Sequence, residues 1–209
     1  LQGEGGVNIP DEGYLRLVRE WCDKNNLVLI FDEIQTGFGR LGTLFGYEYF
    51  GVEPDVITLA KGLGGGAPIG AFMAKDKFCT LEPGDHGSTF GGNALTCSAA
   101  YASTKFIIEN DIPTKAQKMG EYFTKGLNEL KGRHDIIKDV RGVGLLIAME
   151  FNSDVTPTVV AALNDAGLLI NPMRPNAIRL MPPLTVTTDE IDQAMERLET
   201  GLTQAAVGS

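Results

Sequence analysis

Residues 27–31 form an unbroken apolar run that ends in two acids, Asp32 and Glu33. A short run without alternation is the pattern of a strand covered on both faces, as in a parallel sheet. Ahead of it, 11–25 carries Tyr14, Leu17, Val18 and Trp21 at helical spacing, behind an Asp11 that can cap the helix. An amphipathic helix feeding an apolar strand is half of a βαβ repeat, so the chain opens in α/β style.

Two more short apolar strands are expected at 55–60 and 69–74, with glycines at 62, 64, 65 and 66 between them. Long helices follow at 92–110 and at 114–131, the second spaced on Ala116, Met119, Phe123, Leu127 and Leu130. After about residue 132 the texture changes. Segments 136–141 and 144–151 read as antiparallel strands joined at Gly142-Val143-Gly144. A helix over 156–166 closes at Gly167, strands follow at 168–170 and 177–180, and a last helix starts at Thr188 as cap, with Ile191, Met195 and Leu198 on one face. The expected order is an α/β part, a hinge near 111–132, then a smaller α+β part. Leu1 is not a methionine, and the first six residues have no pattern of their own; the chain reads as a piece of a longer protein.

A net charge of −9 argues against a nucleic-acid partner, because phosphate binding needs a basic footprint. No apolar run approaches the ~18 residues of a membrane span. Cys22, Cys79 and Cys97 are odd in number and far apart, which suits reduced thiols in the cytoplasm better than disulfides. With His86 and His134 the only histidines, no metal site is expected.

A carboxylate at the carboxyl end of a parallel strand stands where open α/β sheets bind ligands. Taken alone, Asp32 is more simply a cap or a surface acid. Lys61 follows the strand at 55–60; by itself it is a solvated terminus, and the alternative is an amine desolvated in a cleft, freed to form a Schiff base. The glycines after it would let backbone approach a flat ring. A phosphate-binding loop needs Gly-Lys followed by Ser or Thr, whereas Lys61 precedes the glycines. A dinucleotide fingerprint at Gly62, Gly64 and Ala67 should open a helix, yet Pro68 and a strand pattern follow.

Four segments together resemble the class III aminotransferases of fold type I. They are Gln2-Gly3-Glu4-Gly5-Gly6, Phe31-Asp32-Glu33-Ile34-Gln35-Thr36-Gly37-Phe38-Gly39-Arg40, Leu59-Ala60-Lys61-Gly62-Leu63-Gly64-Gly65-Gly66 and His86-Gly87-Ser88-Thr89-Phe90-Gly91-Gly92-Asn93. They occur in order over essentially the whole chain. His86 to Asn93, Val140-Arg141-Gly142-Val143-Gly144-Leu145 and Ala177-Ile178-Arg179-Leu180-Met181-Pro182-Pro183-Leu184 are most similar to the acetylornithine-type members. The resemblance implies residues 1–115 as the C-terminal part of a pyridoxal-phosphate-binding large domain, with a mostly parallel sheet flanked by helices. It implies residues 116–209 as a small α+β domain.

By the same resemblance, Lys61 carries pyridoxal phosphate, Asp32 faces its pyridine nitrogen and Gln35 its phenolic oxygen. Ser88 and Thr89 reach the cofactor phosphate of a neighbouring subunit, so a homodimer is implied. Arg179 binds the α-carboxylate of 2-oxoglutarate and Glu4 neutralises it while the amino donor is bound; without the resemblance, Arg179 reads as a surface ion pair. The implied reaction is transamination from an ω-amine donor of the N-acetylornithine type. Ornithine, succinylornithine and 4-aminobutyrate are the alternatives, and so is a remnant that folds and dimerises without turnover. The family's phosphate loop, ring-stacking aromatic residue and second substrate arginine lie in an N-terminal half that this sequence does not contain.

Overall fold

In the computed structural model, which describes residues 1–207, helix α1 (Tyr14–Lys24) has apolar residues on two sides. Val18 and Cys22, with Leu15, pack onto Leu29, Phe31 and Val52, while Tyr14, Leu17 and Trp21 remain exposed. Asp11 does not cap the helix with its side chain. Gly13 precedes the first turn in a left-handed conformation (φ 82), and Asp11 contributes its backbone carbonyl to the Tyr14 N–H instead (3.1 Å).

Strand β1 (Ile30–Asp32) pairs in parallel with β2 (Val56–Leu59), and β2 pairs antiparallel with β3 (Ala71–Ala74). The expectation that 27–31 is covered on both faces is not met. Leu29 is buried, but Ile30 is 56% exposed, because β1 is an edge strand and no described element covers that side. Parallel pairing is confined to β1 and β2, so this sheet is mixed. A short helix α2 (Gly46–Phe50) lies between β1 and β2, and α3 (Ala94–Glu109) starts at Asn93, whose side chain accepts the Thr96 N–H (3.0 Å).

Asp55, just ahead of β2, sets the register of this sheet. Its side chain is 3% exposed, and it accepts the Leu29 N–H (2.9 Å) and an Arg19 Nη1–H (2.8 Å), with Lys77 Nζ at 3.7 Å. Burial alone would raise the Asp55 carboxyl, but Leu29, Arg19 and Lys77 together hold it below the usual carboxylate range. A depressed folded-state pKa gives stability that is present above the ordinary value of about 3.9 and is lost as the pH falls through the folded-state value. Asp55→Asn is therefore expected to lower stability at pH 7 and to flatten its fall below about pH 4, read by urea midpoints across that range.

The chain divides into two compact units, Pro10–Pro113, and Leu1–Ile9 together with the chain from Thr114 onward. The span expected to hold a hinge lies largely in one uninterrupted helix, α4 (Ile112–Lys131), preceded by Asp111 at φ 48. In the second unit, β4 (Ile137–Val143), β5 (Leu146–Phe151), β6 (Asn171–Arg174) and β7 (Ala177–Leu180) form an antiparallel sheet in the order β4-β5-β7-β6. The third strand of that unit lies beyond the expected 168–170. Leu169 is 90% exposed, and pairing passes to the edge segment around Pro172, which bonds β7. Phe123, Leu127 and Leu130 of α4 pack on Ile147, Met149 and Phe151 of the central β5. Val159 and Leu163 of α5 (Thr156–Asp165) join them, as do Ile191, Leu198 and Leu202 of α6 (Thr188–Val207).

Gly167 ends α5 as expected, at φ 78, with the Leu168 N–H on the Leu163 carbonyl (2.8 Å). The cap of α6 is Thr187, one residue before the expected Thr188. Thr187 Oγ1 accepts the Glu190 N–H (3.3 Å), and the Glu190 carboxylate accepts the Thr187 N–H (2.8 Å). The last two residues of the expected small domain, 208 and 209, lie outside the described residues. Among the described residues no helix is long and apolar enough to cross a membrane.

Candidate active site

Asp32 is the last residue of β1 and stands opposite Thr58 in the parallel ladder. Residues paired in register project to the same side, and Thr58 Oγ1 donates to Asp32 Oδ1 (3.3 Å). The Ile34 N–H donates to the same oxygen (2.9 Å), so one carboxylate oxygen is held while no hydrogen bond reaches Oδ2 among the described residues. Lys61 leaves the end of the neighbouring β2 at the same edge of the sheet and opens a 3₁₀ turn, Lys61–Gly64. Two parallel strands thus deliver a carboxylate and an amine at their common carboxyl end, the place where such sheets bind ligands.

Lys61 has φ 44, a left-handed conformation that costs a residue with a Cβ about 1–2 kcal/mol. Strain of this kind persists where the surroundings enforce it, and it concentrates at functional sites. Ser103 of α3 donates to the Gly62 carbonyl (3.2 Å) and so holds the turn. Of the four glycines after Lys61, Gly62, Gly64 and Gly65 approach protein, while a Cβ on Gly66 would meet nothing within 4 Å. A Cβ on Gly62 would stand 3.2 Å from Phe38, on Gly64 2.9 Å from Ile69, and on Gly65 3.1 Å from Ser103. The expected desolvation of Lys61 is also not met. Lys61 and Asp32 are both exposed.

Glu33, next to Asp32, is buried and serves the scaffold. It accepts the Gly46 N–H (2.9 Å), the Tyr47 N–H (2.7 Å) and the Thr36 hydroxyl. A Cβ on Gly46 would come within 2.8 Å of Glu33 Oε2, so a glycine is needed where α2 meets this carboxylate. Sequence reasoning passed over Glu33 and Asp55. The signal for Glu33 is its position, since alternation along a strand sends one of two adjacent acids inward. Gln35 is half-buried in the turn after β1.

Ser88 and Thr89 lie in an arm, 80–95, that is exposed throughout. Ser88 Oγ accepts the Gly91 N–H (2.9 Å), while Phe90 is 82% and Leu95 81% exposed. In the other unit, Arg179 of β7 donates from Nη1 to Glu4 Oε2 (2.8 Å) and to the Gly3 carbonyl (3.4 Å), and from Nη2 to Asn171 Oδ1 (3.5 Å). Glu4 and Arg179, separated in sequence by nearly the whole chain, therefore form an ion pair, with the arginine largely buried and the glutamate open to solvent.

A family model described as aminotransferase class-III matches residues 1–202. The chain belongs to the class-III aminotransferase family. This class-III chain is 45% identical over 204 residues to the acetylornithine aminotransferase of Caldanaerobacter subterraneus subsp. tengcongensis, covering 98% of itself and 52% of that protein. It is 47% identical over 199 residues to the acetylornithine aminotransferase of Methanothermobacter thermautotrophicus, covering 95% of itself and 51% of the relative. Among solved structures it matches the acetylornithine aminotransferase of Elizabethkingia anophelis with a TM-score of 0.92 at 37% identity, over 97% of this chain and 55% of that one. The ornithine aminotransferase of Toxoplasma gondii, with partial occupancy of pyridoxal phosphate at its active site, gives 0.92 at 39% identity over 100% of this chain and 50% of that one. The class-III chain thus spans about half the length of the curated relatives it matches.

Proposed function

We propose that the protein to which this chain belongs is a pyridoxal-phosphate-dependent aminotransferase. In this reading it moves an ω-amino group from an N-acetylornithine-type donor to 2-oxoglutarate. The observation that carries the reading is the pair Asp32 and Lys61 at the carboxyl end of adjacent parallel strands, in a family whose similar members act on acetylornithine or ornithine by name. The residues fit the cofactor: an oriented carboxylate with one oxygen open, an amine held in a strained turn, and the amide side chain of Gln35 in the turn that follows Asp32.

When bound, pyridoxal phosphate supplies a positively charged ring that draws electrons from the donor's amine-bearing carbon. Asp32, fixed by Ile34 and Thr58, would hold the ring nitrogen and keep its proton in place. Lys61 would hold the cofactor before the donor arrives, and its Nζ would take the proton from the donor's amine-bearing carbon as general base and then give it up as general acid. Gln35 donates to the ring's phenolic oxygen. Arg179 receives the acceptor's carboxylate with its planar fork, and Glu4 occupies that fork at other times.

Ser88 and Thr89 reach the cofactor phosphate of a second copy in a cytoplasmic homodimer. The wholly exposed arm that carries them, with Phe90 and Leu95 bare, supports this role. Residues 1–115 serve as part of the large domain and 116–209 as the small one. The exposure of Lys61 and Asp32 favours a second condition, that turnover requires the remaining half of the family's length. In a protein of that full length, N-acetylornithine with 2-oxoglutarate is expected to give at least about tenfold higher kcat/KM than ornithine or 4-aminobutyrate, a gap of ~1.4 kcal/mol in transition-state binding. A clear preference for either of the others reassigns the donor and leaves the reaction class standing.

A further inference from the structure

The segment Val140-Arg141-Gly142-Val143-Gly144-Leu145, singled out in the sequence, has no part in the function proposed so far. Arg141 lies on β4, and its Nε and Nη2 both donate to the Gly6 carbonyl (3.2 and 2.8 Å). Its Nη1 is held by Glu150 Oε2 (2.7 Å) and Asp139 Oδ2 (3.2 Å). Lys138 donates to the other Glu150 oxygen (2.6 Å). Lys138 and Arg141 hold the Glu150 carboxyl below its ordinary range.

On the far edge of the same sheet, Arg174 of β6 donates to the Gly5 carbonyl. The loop so gripped is closed at its base by the Gln2–Asn8 backbone bridge (3.0 and 3.2 Å), with Val7 fully buried. Glu4 stands at its tip, on Arg179. Three arginines from three strands of one sheet therefore clasp a single loop, Arg141 and Arg174 by its backbone alone and Arg179 by the Gly3 carbonyl and the Glu4 carboxylate.

We propose that Arg141, with Arg174, is a positioning residue that sets how strongly Glu4 competes with a substrate carboxylate for Arg179. The inference rests on the reading of Glu4 and Arg179 given above. A tethered carboxylate competes through its local concentration, and that concentration depends on how firmly its loop is fixed. A substrate carboxylate binds Arg179 with its intrinsic affinity multiplied by the fraction of time that Glu4 is away. Gly5 and Gly6, the residues that follow Glu4, are the ones whose carbonyls Arg174 and Arg141 hold. Glu4, whose side chain is 78% exposed, can leave Arg179 by rotation of its own side chain while the clasped backbone stays fixed.

The test is glutarate binding to the chain by calorimetry. Glu4→Ala is expected to tighten glutarate about tenfold, and Arg141→Met about three- to tenfold, as the loop loosens. The double variant is expected to bind no tighter than Glu4→Ala alone, since loosening a loop that carries no carboxylate frees nothing. Exposed Arg174→Met repeats the design where the loss of Arg141 impairs folding, with a smaller gain that again vanishes on the Glu4→Ala background. If Glu4→Ala tightens glutarate but neither arginine variant does, or if their effects persist without Glu4, the positioning role is wrong and the gate stands. If Glu4→Ala leaves glutarate binding unchanged, or no variant binds it, the gate reading itself fails, and the inference with it.

Discussion

Lys61→Ala is expected to abolish the borohydride-fixed pyridoxal phosphate adduct. In a protein of the full family length it is expected to lower transamination by ~10⁴-fold or more, since the residue serves both as covalent carrier and as proton shuttle. Lys75→Ala and Lys77→Ala, on the same unit, should leave both intact. The backbone supplies a second readout. Because Lys61 sits at φ 44, Lys61→Gly should stabilise the fold by ~1 kcal/mol while eliminating the adduct, whereas Lys61→Ala keeps the strain and gains nothing. Stability gained at the cost of function is the mark of strain retained for a site. An unchanged denaturation midpoint for Lys61→Gly would remove that argument.

The second large effect lies in the other unit. A Cβ on Gly120 of α4 would stand 2.2 Å from the Gly144 carbonyl oxygen, 2.4 Å from its carbon and 2.8 Å from its Cα. All three are backbone atoms of the β4–β5 turn, so no side chain can rotate away. Gly120→Ala must push the helix off the turn and disturb the packing of Phe123 and Leu127 on β5. A net loss of about 3 kcal/mol is expected, even though alanine improves helix propensity by ~1 kcal/mol. Gly132→Ala, whose Cβ would meet its nearest neighbour, the Glu129 carbonyl oxygen, at 3.4 Å, serves as the control and should change the urea midpoint little. Equal stability for the two variants would mean that α4 does not sit against the turn.

The helices were legible in the sequence because their apolar spacing is set by burial. Phe123, Leu127 and Leu130 were expected on one face of α4 and all three are in the core. The β4–β5 hairpin was legible from its glycines for the same kind of reason, a local geometry that a local residue must meet. Edge strands were not. Leu169 is apolar and bare, while Asn171 and Pro172, which look like loop, pair with β7 because the neighbouring strand offers free hydrogen-bonding groups. Caps slipped by one or two residues, as at Thr187 and Gly13, since candidate capping residues stand side by side and the backbone decides among them.

In the candidate site, Asp32 and Lys61 could be placed at strand ends from the apolar runs that precede them. Their exposure could not be foreseen from those runs, which are the same whether or not a strand has neighbours on both sides. Glu4 with Arg179 came from resemblance alone, and no pattern in composition joins residues at opposite ends of a chain. The roles of Glu33, Asp55 and Gly120 depend on three-dimensional neighbours, Gly46, Arg19 and Gly144, that sequence spacing does not reveal.

Intact-mass measurement after treatment with saturating pyridoxal phosphate and borohydride, followed by peptide mapping, bears on the whole account. Exposed lysines such as Lys75, Lys77 and Lys105 offer themselves to any aldehyde, so the distribution of label is what matters. The expected result is one dominant adduct on Lys61, weakened when Asp32 is replaced by Ala. Label spread evenly over surface lysines, with position 61 taking no more than its share and indifferent to residue 32, contradicts it.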